Sequence, residues 1–150
     1  MPKPGPEPDD LTKPFWDACN ERRLVIQTCS ACDRKQYPPE QTCRQCGSKE
    51  HLEWREATGK GRIHGYCVMH DSRLRLLQEG QPFNIAVIEL LEDPEIKFFS
   101  HLPGSPPDNV PVGAIVESYY EESVSGQLIH EWKIVDAAPD GVEIGKYLAR

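Results

Sequence analysis

No stretch of 18 apolar residues occurs in the chain, which excludes a helix that spans a bilayer. The first ten residues, Met1-Pro2-Lys3-Pro4-Gly5-Pro6-Glu7-Pro8-Asp9-Asp10, lack the apolar centre of a signal peptide. The expectation is a soluble, cytoplasmic protein. Positive charge is scarce where it would matter most. Residues 52–136 hold seven Lys/Arg against fourteen Asp/Glu, whereas residues 1–51 are balanced at eight each and residues 137–150 at two each. The whole formal charge of −7 thus falls on the segment that would have to be basic to grip a phosphodiester backbone. Nucleic acid is not expected as a partner. Also missing are a Gly-x-Ser-x-Gly elbow, a dinucleotide-binding glycine pattern and a phosphate-binding loop.

What the sequence does have is six cysteines, four of them in two Cys-x-x-Cys pairs: Cys29/Cys32 and, after ten intervening residues, Cys43/Cys46. Two such pairs supply four thiolates at the corners of a tetrahedron, the geometry of a structural Zn²⁺ site. Gly47 directly after the second pair suits a turn with positive φ, and Asp33 stands at the equivalent place after the first. The polar arm 33–42 between the pairs is too short to fold alone, so the metal is expected to hold it. Disulfides are rare in an intracellular chain. A catalytic zinc normally keeps an open position, whereas this quartet is closed. Zinc is favoured, and rubredoxin-like iron on the same four thiolates is the other option. The two remaining cysteines, Cys19 and Cys67, are expected to be small buried hydrophobes.

Along the chain, alternating prolines make residues 1–11 an extended, flexible arm. Thr12–Arg22 reads as a helix, with Thr12 as N-cap, Pro14 in the first turn and Phe15, Trp16 and Cys19 on one face. Its 11 residues are marginal alone, so it should dock on the chain's body or on a partner. Leu24–Gln27 is a short strand into the first metal turn. From residue 52 the pattern changes to period two. Leu52 and Trp54 are followed by strands over 62–70 (kinked at Gly65), 83–91, 96–102, 114–121 and 129–135. Five strands with irregular connections suggest a small, partly open barrel. The fold class is therefore mostly β, with residues 12–51 as helix and metal ribbon, 52–136 as barrel, and 137–150 as a polar tail that Tyr147 and Leu148 could anchor.

The ordered combination of Phe15-Trp16, Arg23-Leu24, Cys29/Cys32, Pro38-Pro39, Cys43/Cys46-Gly47-Ser48, Gly61 and Val112-Gly113-Ala114-Ile115-Val116 resembles the domain-of-unknown-function family 35. That family is built as a rubredoxin-like zinc ribbon followed by an OB-fold, and the resemblance covers residues 13–136, with Asp33 standing where glycine is usual. It implies a small accessory subunit that assembles, as a hetero-oligomer, with a thiolase-like large subunit (thiolase, retro-aldolase or acyl transferase) or with a hydratase-like protein. The substrate of such a complex is a CoA ester. The large subunit would supply the catalytic Cys and His, and the small one would shape the acyl channel or hold two enzymes together.

No catalytic residues are assigned to this chain. Thiolysis needs an activated Cys beside a base and an oxyanion hole. Cys67 has His64 and His70 three residues to either side, and in a regular strand odd offsets point to opposite faces. His64 and His70 would then share a face with each other. For contact with ligand or partner the candidates are Arg73 and Arg75, two arginines beside leucines in an acidic barrel, which suit docking or a CoA phosphate. Phe98 and Phe99 are the second pair: in a strand they point to opposite faces, one outward and one into the core. Two other readings remain open. One is a stand-alone OB-fold that stacks single-stranded nucleic acid on Tyr66, Phe98 and Trp132, against which the acidic barrel argues. The other is an independent rubredoxin-like electron carrier.

Overall fold

The computed structural model describes residues 1–137. The expected tail therefore lies, apart from Ala137, outside the described residues. The elements in chain order are α1 (Lys13–Asn20), β1 (Val25–Cys29), β2 (Lys35–Gln36), β3 (Leu52–Glu56), β4 (Lys60–Met69), α2 (Arg75–Gln78), β5 (Phe83–Leu90), β6 (Lys97–Ser100), β7 (Ile115–Glu122) and β8 (Leu128–Asp136).

Helix α1 forms for a different reason from the one expected at its start. Thr12 is in the αR region and caps nothing. The Asp9 carboxylate accepts the N–H and the hydroxyl of Thr12, both at 2.7 Å, and Thr12 Oγ1 accepts the Asp9 N–H at 3.1 Å, so a reciprocal capping box led by Asp9 opens the turn into the helix. The helix ends in a Schellman arrangement: Arg23 N–H donates to Ala18 O at 2.9 Å, Arg22 N–H to Cys19 O at 2.9 Å, and Arg22 takes a φ of +59° in place of the usual glycine. Phe15, Ala18 and Cys19 are buried, and the helix docks on its own barrel. Gln127 Nε2 donates to Trp16 O at 2.9 Å, and Asn20 Oδ1 accepts Leu128 N–H at 3.0 Å.

Two sheets follow. The first has the order β2-β1-β3, all antiparallel, so Leu52–Glu56, which opens the segment read as barrel, is hydrogen-bonded to the ribbon. All five residues of β1 are buried because that strand is central to its sheet and covered on both faces. The second sheet has the order β6-β5-β4-β7-β8. This is the Greek-key connection of an OB-fold, a five-stranded, partly open barrel. The two end strands meet without a backbone ladder. Instead Ser100 Oγ accepts the Trp132 N–H at 3.1 Å, and Glu131 Oε2 accepts the Ser100 hydroxyl at 2.5 Å and the His101 N–H at 3.2 Å.

The expected kink in the first barrel strand is a β-bulge. Register passes from Ile63 opposite Ile88 to Gly65 opposite Val87, leaving His64 as the extra residue. Alternation changes phase there, so His64 and His70 do not share a face as a regular strand would require. His64 turns to Glu89, with Nδ1 3.2 Å from Oε2. Cys67, expected in the core, is exposed on the outer side, while Cys19 is fully buried.

The core is one continuous cluster shared by the three parts. Phe15 from α1 meets Tyr37 from the ribbon at 5.5 Å and His130 from β8 at 5.6 Å, measured between ring centroids. Tyr37 meets Phe98 at 4.4 Å, and Phe98 meets Trp132 at 5.7 Å. The N-terminal arm is extended, as its prolines dictate, but it lies against the barrel with Lys3 buried.

Candidate metal centre and contact surfaces

The four cysteines predicted as ligands converge. The Sγ atoms of Cys29, Cys32, Cys43 and Cys46 all lie within 4.8 Å of one another, with Cys29–Cys46 and Cys32–Cys43 both at 3.6 Å. A tetrahedron of zinc–sulfur bonds of about 2.3 Å has its sulfurs about 3.8 Å apart. The quartet fits that spacing. Among the described residues it is the one group of three or more His, Cys, Asp or Glu gathered closely enough to hold a metal.

Two matching turns deliver the thiols. In the first, Asp33 N–H donates to Cys29 O at 2.8 Å and Cys29 N–H to Arg34 O at 2.8 Å; in the second, Gly47 N–H donates to Cys43 O at 2.9 Å and Cys43 N–H to Ser48 O at 2.9 Å. Asp33 and Gly47 are the residues of positive φ, at 58° and 75°. Asp33 thus does the work of the glycine usual there, at some cost in backbone strain. The backbone N–H of Cys46 does most to favour the Cys43 thiolate and, with that of Gln45, outweighs burial, drawing the thiol down to about 6. Cys32 receives an N–H from Arg34, yet burial and the three neighbouring sulfurs push its thiol up to about 12. Four sulfurs this close cannot all ionise unless a cation lies among them.

A metal on the quartet would not be the sole support of the arm between the pairs. Gln27 and Gln36, 4% and 1% exposed, face each other across β1 and β2. Gln36 Nε2 donates to Gln27 Oε1 at 2.6 Å and to Thr42 O at 3.1 Å, and Gln36 Oε1 accepts the Arg44 N–H at 3.0 Å. Gln27 Oε1 accepts the Glu40 N–H, and its Nε2 donates to Glu40 O, both at 2.9 Å. Two side-chain amides therefore stand in for a missing strand. The sequence reading missed them because nothing in their spacing marks a glutamine as buried.

The other candidates scatter. Phe98 is 1% exposed and belongs to the core, whereas Phe99 is 70% exposed, opposite Val87 on the outer face of the sheet. Arg73 and Arg75 are exposed, in and beside a helix that buries no residue, with Leu74 at 55% and Leu76 at 36% exposure next to them. Of the aromatics that a nucleic-acid reader would stack, Phe98 and Trp132 are buried, and Tyr66 donates its hydroxyl to Asp108 O at 2.7 Å. That reading loses its platform. Among the described residues no helix is long and apolar enough to cross a membrane.

The model of the ChsH2 rubredoxin-like zinc ribbon domain matches residues 16–51, and that of the ChsH2 C-terminal OB-fold domain matches residues 54–121. A protein of Thermomonospora curvata named "probable enoyl-CoA hydratase alpha subunit" is 34% identical over 115 residues, which are 75% of this chain and 33% of that protein. The chain therefore spans about a third of that relative's length. A DUF35 domain-containing scaffold protein of Methanocaldococcus jannaschii is 26% identical over 130 residues, 83% of this chain and 90% of that one. Among solved structures, a chain of an Ltp2–ChsH2(DUF35) aldolase superposes with a TM-score of 0.75 at 28% identity, over 87% of this chain and 98% of that chain. A DUF35-family protein of Sulfolobus solfataricus, described as of unknown function, shares the fold at a TM-score of 0.58 and 21% identity, over 83% and 85%.

Proposed function

The chain belongs to the ChsH2 (DUF35) family, a zinc ribbon joined to an OB-fold, and from that membership we propose that it is a non-catalytic accessory subunit of a thiolase-like enzyme acting on acyl-CoA esters. The observation that carries this is its likeness, over nearly the full length of the matched chain, to the Ltp2–ChsH2(DUF35) aldolase. The relatives named scaffold protein and hydratase alpha subunit support a role in hetero-oligomers with a thiolase-like or hydratase-like partner. The chain's own chemistry agrees. Thiolysis needs a Cys thiolate beside a base, but Cys19 is sealed in the core with its thiol pushed up to about 12 by burial. Cys67 is exposed on the outer face, and His64, the histidine before it in the same strand, is turned to Glu89.

The four thiolates hold zinc as a structural ion that fixes the ribbon against the barrel, with Cys29, Cys32, Cys43 and Cys46 as its ligands. Arg73 and Arg75 meet the partner or the CoA phosphates, Phe99 extends the contact surface, and the complex works in the cytoplasm. The test is co-expression with a thiolase-like large subunit from the same host, followed by purification through a tag on this chain and assay of acyl-CoA cleavage. The expected result is a complex whose activity needs both chains. Cleavage of an acyl-CoA by this chain alone, or failure of the two to associate, overturns the proposal.

A further inference from the structure

The N-terminal arm runs into the wall of the barrel. Lys3 is 9% exposed, and its Nζ lies 2.9 Å from Glu121 Oε2 and 2.7 Å from Glu131 Oε1. Glu131 is 6% exposed and is fixed from its other side by the hydroxyl of Ser100 and the N–H of His101. Tyr119 donates its hydroxyl to Glu121 at 2.7 Å. Two carboxylates thus meet beside the seam between β6 and β8, and the ammonium of Lys3 sits between them. Removing it would strand a buried charge, so the arm is drawn to this seat strongly.

On either side of Lys3 the arm touches a different part of the chain. The Lys3 C=O accepts the Val124 N–H at 3.0 Å, and Gly5 approaches the β7–β8 turn so closely that a β-carbon there would fall 2.0 Å from Ser125 Oγ. At the other end, a β-carbon on Gly80 would fall 2.5 Å from Met1 Sδ. Met1, Lys3 and Pro4 form one wall of a cavity of about 220 Å³, whose other walls include Leu77 of α2 and Phe83 and His101 of the barrel. The 71–82 loop is otherwise tied mainly to itself: Ser72 N–H donates to Gln81 Oε1 and Gln78 Nε2 to Ser72 O, both at 2.9 Å. Its helix buries nothing.

We propose that the arm is a displaceable strap. With Lys3 seated on Glu121 and Glu131, the arm holds the 71–82 loop, and with it Arg73 and Arg75, against the barrel. With Lys3 withdrawn, that loop is released and the cavity opens. The coupling is a property of this chain alone and holds whether or not the arginines meet a partner.

Amide hydrogen exchange of the full chain tests it. Lys3→Met is expected to speed exchange over residues 72–82 by about tenfold or more while residues 86–90 of β5 stay within about twofold of the unaltered chain. Gly5→Val, which leaves every charge in place and lifts the arm by its clash with Ser125, is expected to do the same and carries the test should Lys3→Met not fold. Exchange over 72–82 at the original rate in a variant whose arm amides have been freed overturns the proposal. So does a rise spread evenly through β5.

Discussion

Tyr37 and Phe98 meet at 4.4 Å between ring centroids, and that contact joins the metal ribbon to the barrel. Phe98 is 1% exposed while its neighbour Phe99 is 70% exposed, so adjacent residues of the same type have opposite duties. Phe98→Ala is expected to cost about 3–5 kcal/mol, because it leaves a cavity at a junction of three structural parts. Phe99→Ala should change stability by no more than about 0.5 kcal/mol. Urea unfolding followed by tryptophan fluorescence measures both. Equal losses would mean that the ring of Phe98 is not a structural bolt.

The quartet and the glutamine pair give a second, separable expectation. Cys43→Ser should abolish stoichiometric zinc and with it the folded ribbon, since metal binding and folding are linked at a structural site. Gln36→Leu keeps all four ligands but removes the groups that serve Gln27, Thr42 and Arg44. It should cost about 1–3 kcal/mol through the backbone groups left unpaired, and should speed zinc loss to a chelator without changing its stoichiometry. Metal analysis and the rate of transfer to a coloured chelator distinguish the two variants. A visible absorption band in the native protein would replace zinc with iron.

Period-two patterning, cysteine spacing and proline placement made the barrel strands, the quartet and the extended arm legible in the sequence. What escaped was decided by contacts distant in the chain. Thr12 has the composition of a cap, but Asp9, three residues earlier, takes its N–H. Cys67 has the composition of a core residue, but the bulge at His64 shifts the strand by one position and turns it outward. Lys3 lies among prolines, and only the β6–β8 seam explains why it is buried, because Glu131 is more than a hundred residues away. Parity holds along a strand only while its register does.

His130 carries a pH dependence of defined sign. It is packed among Phe15, Trp16 and Phe98, and burial, helped by Lys3, brings its pKa from 6.5 down to about 4. Between those values the unfolded chain binds a proton that the folded chain refuses, so stability is complete above pH 6.5 and falls as pH drops towards 4. The loss should be on the order of 3 kcal/mol. His130→Phe should flatten that part of the profile, leaving the slope due to carboxylates such as Glu121, which Lys3 and Tyr119 hold low against the effect of burial. Thermal unfolding between pH 4 and pH 7 shows the difference; parallel profiles in the two proteins would place His130 outside the linkage.

The arginines of the 71–82 loop decide whether that loop is a contact surface or only solvated charge. Arg73→Glu combined with Arg75→Glu reverses two positive charges on an exposed segment whose helix buries no residue, so the barrel should stay folded and its unfolding midpoint should hold. If the arginines meet an acidic face of the large subunit, association should weaken by about tenfold or more, and the remaining binding should lose its sensitivity to salt. If they meet the phosphates of CoA, assembly should persist while the KM for the acyl-CoA rises and kcat is little changed, since uniform binding has been removed. Co-purification across a salt series and steady-state kinetics of the complex separate these outcomes. Unchanged assembly with unchanged KM would assign Arg73 and Arg75 to solvent and move the contact surface to the face that Phe99 marks.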